Sequence, residues 1–255
     1  MLTCSKWILN RRPSGPEKTL ISSASFSRED TLAFLRGCSS VLLVANGDSL
    51  TRSHLNELVD SVDGVIAVDG GLRHLLPGQA HWLIGDLDSA GSAVGAHPRL
   101  RVHHTPDQNQ FDLEKVLHLV LEAGVTRVVV AGALGGRLDH TLANLLLLSR
   151  FPESDIRFHG DHEEVWMAAP CAPGASLPLK NILLAPPGTA VSLLPLSPAL
   201  VTSRGLRWEL TRLTLHPQGR LGSSNQMAAN RAELTEVQGA VLISLGPCRP
   251  SETGP

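Results

Sequence analysis

The sequence carries no strong charge of either sign, few cysteines, no long apolar run and no P-loop, and each shortage removes a class of function. With 22 basic and 24 acidic side chains the formal net charge is −2. Nothing therefore draws the chain as a whole to nucleic acid or to an anionic membrane, and no local basic stripe stands out. Cys4, Cys38, Cys171 and Cys248 are too far apart for a CxxC pair or a zinc-ligand cluster. So few cysteines in 255 residues argue against a disulfide framework and for a reduced, cytoplasmic setting. No stretch approaches the ~20 apolar residues of a membrane span. The pattern Gly-x-x-x-x-Gly-Lys-Ser/Thr is missing, which argues against a P-loop enzyme.

What is present is an ordinary globular composition, 42% hydrophobic and 18% charged, able to bury a sizeable core. The first 37 residues, Ser-rich and mildly basic at Lys6, Arg11, Arg12 and Lys18, read as a leader, poorly ordered or partly helical. Its apolar run is too short for a secretory signal, and a frayed leader fits it better than a targeting segment. Residues 38–169 alternate short apolar strands with helical patterns, which predicts βαβ units and a parallel sheet. Strands are expected at Ser40–Ala45, Val65–Val68, Trp82–Ile84 and Arg127–Ala131, and helices at Thr51–Val62, Asp112–Ala123 and Leu138–Ser149. From Pro170 to about 248 frequent prolines break any helix, while Val191–Leu194 and Leu213–Leu215 look like strands, so a C-terminal β-sandwich is expected.

The carboxylates gather where a parallel sheet binds ligands. Asp69, Asp86 and Asp88 lie just past predicted strand ends, and Asp48 occupies a similar turn. That edge is the ligand-binding edge of an open α/β sheet. Acids crowded there repel one another unless a cation joins them, and hard oxygen ligands beside phosphates suit Mg²⁺. In Gly85-Asp86-Leu87-Asp88 an extended chain would turn both carboxylates to one side. Acidic turns are common, so this pair alone is weak evidence. Gly70-Gly71 permits close approach of a ligand to backbone, and Gly132 to Gly136 opens a helix whose amides favour anions. Arg137 at that opening can hold phosphate oxygens bidentately; Asp139 and His140 follow it. Taken singly, Arg137 reads better as a solvated charge and Asp139 as a helix-stabilising acid. His103, His104, His159 and His162 read as solvated or capping residues.

Six segments in order resemble the thiamine pyrophosphokinase family: Val68-Asp69-Gly70-Gly71, Gly85-Asp86-Leu87-Asp88-Ser89, Asp107-Gln108 with Asp112, Gly135-Gly136-Arg137-Leu138-Asp139-His140, Gly205-Leu206-Arg207-Trp208-Glu209-Leu210 and Gly222-Ser223-Ser224-Asn225. Together they span roughly residues 40 to 245. The resemblance implies an N-terminal Rossmann-like α/β catalytic domain (38–169), a C-terminal thiamine-binding β-sandwich (170–248) and a homodimer with active sites across the interface. It implies Mg²⁺ on Asp86, Asp88 and Asp112, and catalysis by these with Arg137. Nucleotide and phosphate contacts fall to Asp69, Gly70, Gly71, Arg137, Asp139 and His140. Gln108, Trp208, Ser223, Ser224 and Asn225 fall on the thiamine side, where an indole face would attract a cationic thiazolium. One position departs: family members commonly carry Thr where this chain has Phe111.

The activity so implied is transfer of pyrophosphate from ATP to thiamine, giving thiamine diphosphate and AMP. Two other readings fit the strand-end acids. A metal-dependent nucleotide phosphohydrolase would consume ATP without thiamine. A thiamine- or nucleotide-binding protein without turnover would bind and do no more.

Overall fold

The computed structural model describes residues 26–47, 50–88, 90–107 and 109–248. Residues Asp48, Ser49, Ser89 and Gln108, and most of the expected leader, lie outside them.

Helix α1 (Arg28–Leu35) begins at Ser27, whose hydroxyl accepts from the Asp30 amide while the Asp30 carboxylate accepts from the Ser27 amide. This reciprocal cap explains why a helix starts inside the expected leader. Strand β1 (Ser40–Val44) follows, then α2 (Arg52–Asp60), β2 (Gly64–Val68), a 3₁₀ turn (Asp69–His74), β3 (Trp82–Gly85), β4 (Arg101–His104), α3 (Asp112–Glu122), β5 (Arg127–Ala131), α4 (Leu138–Leu148), β6 (Asp155–His159) and β7 (Glu164–Met167). The remainder is β8 (Ile182–Leu184), β9 (Thr189–Pro195), β10 (Ala199–Arg204), β11 (Leu213–Leu215), β12 (Gly222–Gln226), β13 (Arg231–Gln238) and β14 (Val241–Cys248).

Strand β1 shows why the first half folds as it does. Its alternate side chains enter two cores: Val41 and Leu43 share one with Leu32 and Leu35 of α1 and Val116 and Leu117 of α3. Leu42 and Val44 share the other with Leu55 and Leu58 of α2. A parallel strand covered on both faces must be apolar throughout, so charge is pushed to its ends.

The large sheet has the order β12-β9-β14-β7-β6-β5-β1-β2-β3-β4. The six strands from β6 to β4 are mutually parallel. The other four extend the sheet antiparallel. A separate antiparallel sheet, β11-β10-β13-β8, encloses a third core in which Val191, Leu193 and Ile243 of the large sheet meet Val201, Leu215 and Leu234. The β-sandwich expected after Pro170 is therefore built on strands that also prolong the parallel sheet, and the large sheet runs across the boundary drawn at 169/170.

Two histidines depart from the solvated roles expected of them. His103 is buried in β4, with Nδ1 3.0 Å from the Thr31 hydroxyl of α1. His159 ends β6 with Nε2 3.5 Å from Glu164 and its ring against that of His54. Burial holds both below the usual imidazole range. Among the described residues, no helix is long and apolar enough to cross a membrane.

Candidate active site

The chain runs outward from β1 through β2, β3 and β4, then returns across β1 to β5 and β6. The crevice between β1 and β5 is thus the topological switch point, where open α/β sheets bind ligands. A cavity of about 600 Å³ opens there, lined by residues that include Asn46, Gly47, Asp69, Asp86, Asp88, Phe111, Asp112, Gly132, Gly136, Arg137, His140 and Asn144. The loops after β1 and β5 touch: the Gly47 amide donates to the Gly132 carbonyl at 2.8 Å. A Cβ on Gly47 would lie 2.4 Å from that carbonyl oxygen, so only glycine permits the approach.

Three carboxylates converge in this cavity. Asp69, Asp86 and Asp112 each offer an oxygen, and the three atoms lie within 4.8 Å of one another. Asp69 holds a left-handed backbone at φ 43°, and so does Leu87 at φ 66°, a strain that marks ligand sites. At Leu87 this alters the expected arrangement. The chain there is not extended, and the Asp88 amide folds back to donate to Asp86 Oδ1 at 3.2 Å. Asp88 is exposed and lines the cavity, while Asp69 completes the group of three.

All three acids are part-buried. Burial pushes the Asp112 carboxyl above the usual range; Lys115 opposes this, and repulsion from Asp86 and Asp69 adds to it. Lys115 Nζ lies 2.7 Å from Asp112 Oδ1 and donates two of its three hydrogens to the carbonyls of Thr105 and Asp107 at 3.1 and 2.6 Å. The buried Oδ1 is held by this ion pair. Three hard oxygens this close together fit a divalent cation such as Mg²⁺.

The helix starts around this cavity differ from those elsewhere. Helices α1 and α2 have side-chain caps from Ser27 and Thr51. Helices α3 and α4, whose first residues border the cavity, have none; their cap positions are Phe111 and Arg137. No cap side chain occupies their leading amides, where the helix dipole favours anions. Arg137 is held by Asp139 through two bonds, Nε to Oδ1 at 3.1 Å and Nη2 to Oδ2 at 2.5 Å. The Arg137 hydrogen bond keeps the Asp139 carboxyl below its usual range. Gly70 and Gly71 do not line the cavity. They are buried, and a Cβ on Gly71 would fall 1.8 Å from the Val44 carbonyl oxygen.

The thiamine-side residues form a different cavity, of about 290 Å³, between β11 and β12. Trp208, Leu210, Leu213, Leu221, Gly222, Ser223, Ser224 and Asn225 line it, and none of these lines the acidic cavity. Trp208 is 52% exposed, and Ser224 sits at φ 64°. Gln108 is outside the described residues. Sequence reasoning missed Lys115 and Asn46. The three-residue step from Asp112 to Lys115 on a predicted helix was the signal for the first; the Asn-Gly turn after β1 marks the second only as a loop.

Known proteins resemble this chain in both halves. A family model described as "Thiamin pyrophosphokinase, catalytic domain" matches residues 55–159, and one described as "Thiamin pyrophosphokinase, vitamin B1 binding domain" matches residues 181–241. "Thiamin pyrophosphokinase 1" of Caenorhabditis elegans is 27% identical over 210 residues, 77% of this chain and 85% of that protein. The crystal structure of thiamine pyrophosphokinase from Bacillus subtilis superposes with a TM-score of 0.67 at 23% identity, covering 82% of this chain and 99% of that one. Thiamin pyrophosphokinase from Candida albicans gives 0.68 at 16% identity, covering 91% and 97%. These two likenesses establish the fold.

Proposed function

The chain belongs to the thiamin pyrophosphokinase family, and from that premise we propose that it transfers pyrophosphate from ATP to thiamine, giving thiamine diphosphate and AMP. The observation that carries this reading is the pairing of an acidic, glycine-lined cavity at the sheet's switch point with a separate cavity built around an exposed indole.

Asp69, Asp86 and Asp112 would hold Mg²⁺, with Asp88 at the rim. When bound, the ion would neutralise phosphate charge and polarise the bridging oxygens. The open amides of α3 and α4 receive phosphate oxygens. Asp139 steers the Arg137 guanidinium, which offsets charge on the group in transfer. His140 borders the same phosphates. The thiamine hydroxyl oxygen bonds to the β-phosphorus as the bond to the AMP oxygen breaks. Positioning and charge neutralisation account for most catalysis of this kind. Asp112 is not the base for the hydroxyl proton, because a carboxylate holding a cation is too weakly basic.

The active unit in this reading is a homodimer in the cytoplasm. Leu138, Leu142 and Leu146 are 80, 54 and 49% exposed and fall on one face of α4, the helix that also lends Arg137, His140 and Asn144 to the acidic cavity. A second copy covering that stripe would bring its indole cavity to the acids.

The test is purified protein with ATP, Mg²⁺ and thiamine, scored for thiamine diphosphate and AMP. Product that requires thiamine supports the transferase; ATP loss without thiamine would make the chain a phosphohydrolase. For the shared site, Arg137→Ala and Trp208→Ala proteins are co-refolded. Recovered activity supports a cross-subunit site, and none at all contradicts it.

A further inference from the structure

Trp208 sits on a loop pinned from several sides, although its indole is half exposed. Asn225 Oδ1 accepts the Trp208 backbone amide at 3.1 Å and the Gln226 amide at 2.8 Å. Asn225 Nδ2 donates to the Trp208 carbonyl at 2.7 Å. The Asn225 side chain thus closes a two-bond ring on the backbone of Trp208 and is itself 7% exposed. Next to it, Arg207 lies over the indole, with its guanidinium carbon 4.9 Å from the ring centroid. That guanidinium is anchored by Nη1 donating to Gln226 Oε1 at 2.9 Å, and the Arg207 amide donates to the Gln226 carbonyl at 2.8 Å. Arg207 does not line the indole cavity. On the far side, Glu209 accepts from the Gly205 amide at 2.6 Å and from the Ser203 hydroxyl at 2.8 Å.

A flexible exposed tryptophan would spend binding energy on being ordered, whereas a pre-set one does not. Both Asn225 oxygen lone pairs and one of its two N–H bonds are engaged with backbone, so little of the amide is left for a ligand. We infer that Asn225 and Arg207 are positioning residues, which fix the Trp208 indole as a platform for the acceptor's ring rather than grasping the acceptor themselves. Asn225 sets the backbone; Arg207 backs the ring by a cation–π contact. This rests on the assignment of Trp208 to the thiamine side and refines it: Asn225, matched to that side by family resemblance, acts through its neighbour.

The experiment is a double-mutant cycle on the full-length enzyme, with KM for thiamine and kcat read separately and folding checked by thermal melt. Trp208→Ala is the reference. If it leaves the thiamine KM unchanged, the thiamine-side assignment fails and the inference with it. If it raises KM, Asn225→Ala alone is expected to raise KM about tenfold with kcat within about twofold, from loss of buried hydrogen bonds. Arg207→Gln is expected to raise it about threefold, and Arg207→Lys to restore most of that, since an ammonium also attracts an indole face. In the Trp208→Ala background, Asn225→Ala and Arg207→Gln should each change KM by less than about twofold. A full additional loss in that background would mean that Asn225 or Arg207 touches the acceptor directly, and would overturn the inference. Should Asn225→Ala melt too low to assay, Arg207→Gln, on an exposed side chain, carries the same cycle.

Discussion

Replacing Asp112 by Asn tests whether the three carboxylates form a strained, cation-seeking site or a self-satisfied ion pair. Its oxygen lies within 4.8 Å of two others. At an effective dielectric constant of ~20, each repulsion costs about 3.5 kcal/mol. Lys115 at 2.7 Å returns about 6 kcal/mol on the same scale. Attraction and repulsion nearly cancel, so desolvation decides the sign, and burial is the largest influence holding this carboxyl above its usual range. The folded protein therefore binds the Asp112 proton more tightly than the unfolded chain. Stability from this group is lost as pH rises from the ordinary carboxylate pKa, about 4, through the folded value. At neutral pH the ionised group is a net cost, and Asp112→Asn should stabilise the metal-free protein by about 1–2 kcal/mol, a Tm rise of about 2–8 °C for a chain of this size. Thermal melts in EDTA at pH 7.5 measure this. Millimolar Mg²⁺ should then raise the wild-type Tm and leave the variant nearly unmoved, because ligand binding stabilises only the state that binds. If Asp112→Asn melts below wild type in EDTA, the Lys115 pair dominates and the reasoning is wrong.

Three further outcomes follow from the same geometry. Arg137→Ala should lower kcat by about 10²–10³-fold while moving Tm by less than about 1 °C, because the Arg137–Asp139 pair is exposed; steady-state kinetics beside a melt will separate the two. Phe111→Thr supplies the cap that α3 lacks and should raise stability by about 1 kcal/mol in urea titration; no gain would mean that the α3 amides are satisfied otherwise. Gly71→Ala drives a Cβ into the Val44 carbonyl, where backbone cannot yield, and should cost about 3 kcal/mol or leave no soluble protein.

Much of the catalytic half was legible because burial on both faces leaves a parallel strand one choice, a short apolar run. Strands β1, β2, β3 and β5 and helices α2, α3 and α4 stand within a residue or two of expectation. Edge and antiparallel strands were harder to read. Strand β4 carries Arg101, His103 and His104, and its buried His103 meets the Thr31 hydroxyl of α1. Strand β13 alternates buried and half-exposed residues through Glu233 and Glu236, the latter buried beneath Arg212 and Thr202. Such residues read as surface until their partners, distant in sequence, are known. Helix α1 was hidden in the expected leader, although Ser27 and Asp30 carry a local capping signal.

The sequence by itself determined that acids and glycines follow the central strands, because a strand interior excludes charge and a strand end does not. It likewise placed Trp208 near Ser223-Ser224-Asn225 through family order. Only the tertiary structure decided which acids share space. Asp69 joins Asp86 and Asp112 because φ at Asp69 and Leu87 is left-handed, a backbone state that their side chains do not announce. It also decided that Asn225 spends its amide on the backbone of Trp208. Hydrogen bonds between residues 17 positions apart form only after the Trp208 loop has met β12, and no local pattern encodes that meeting.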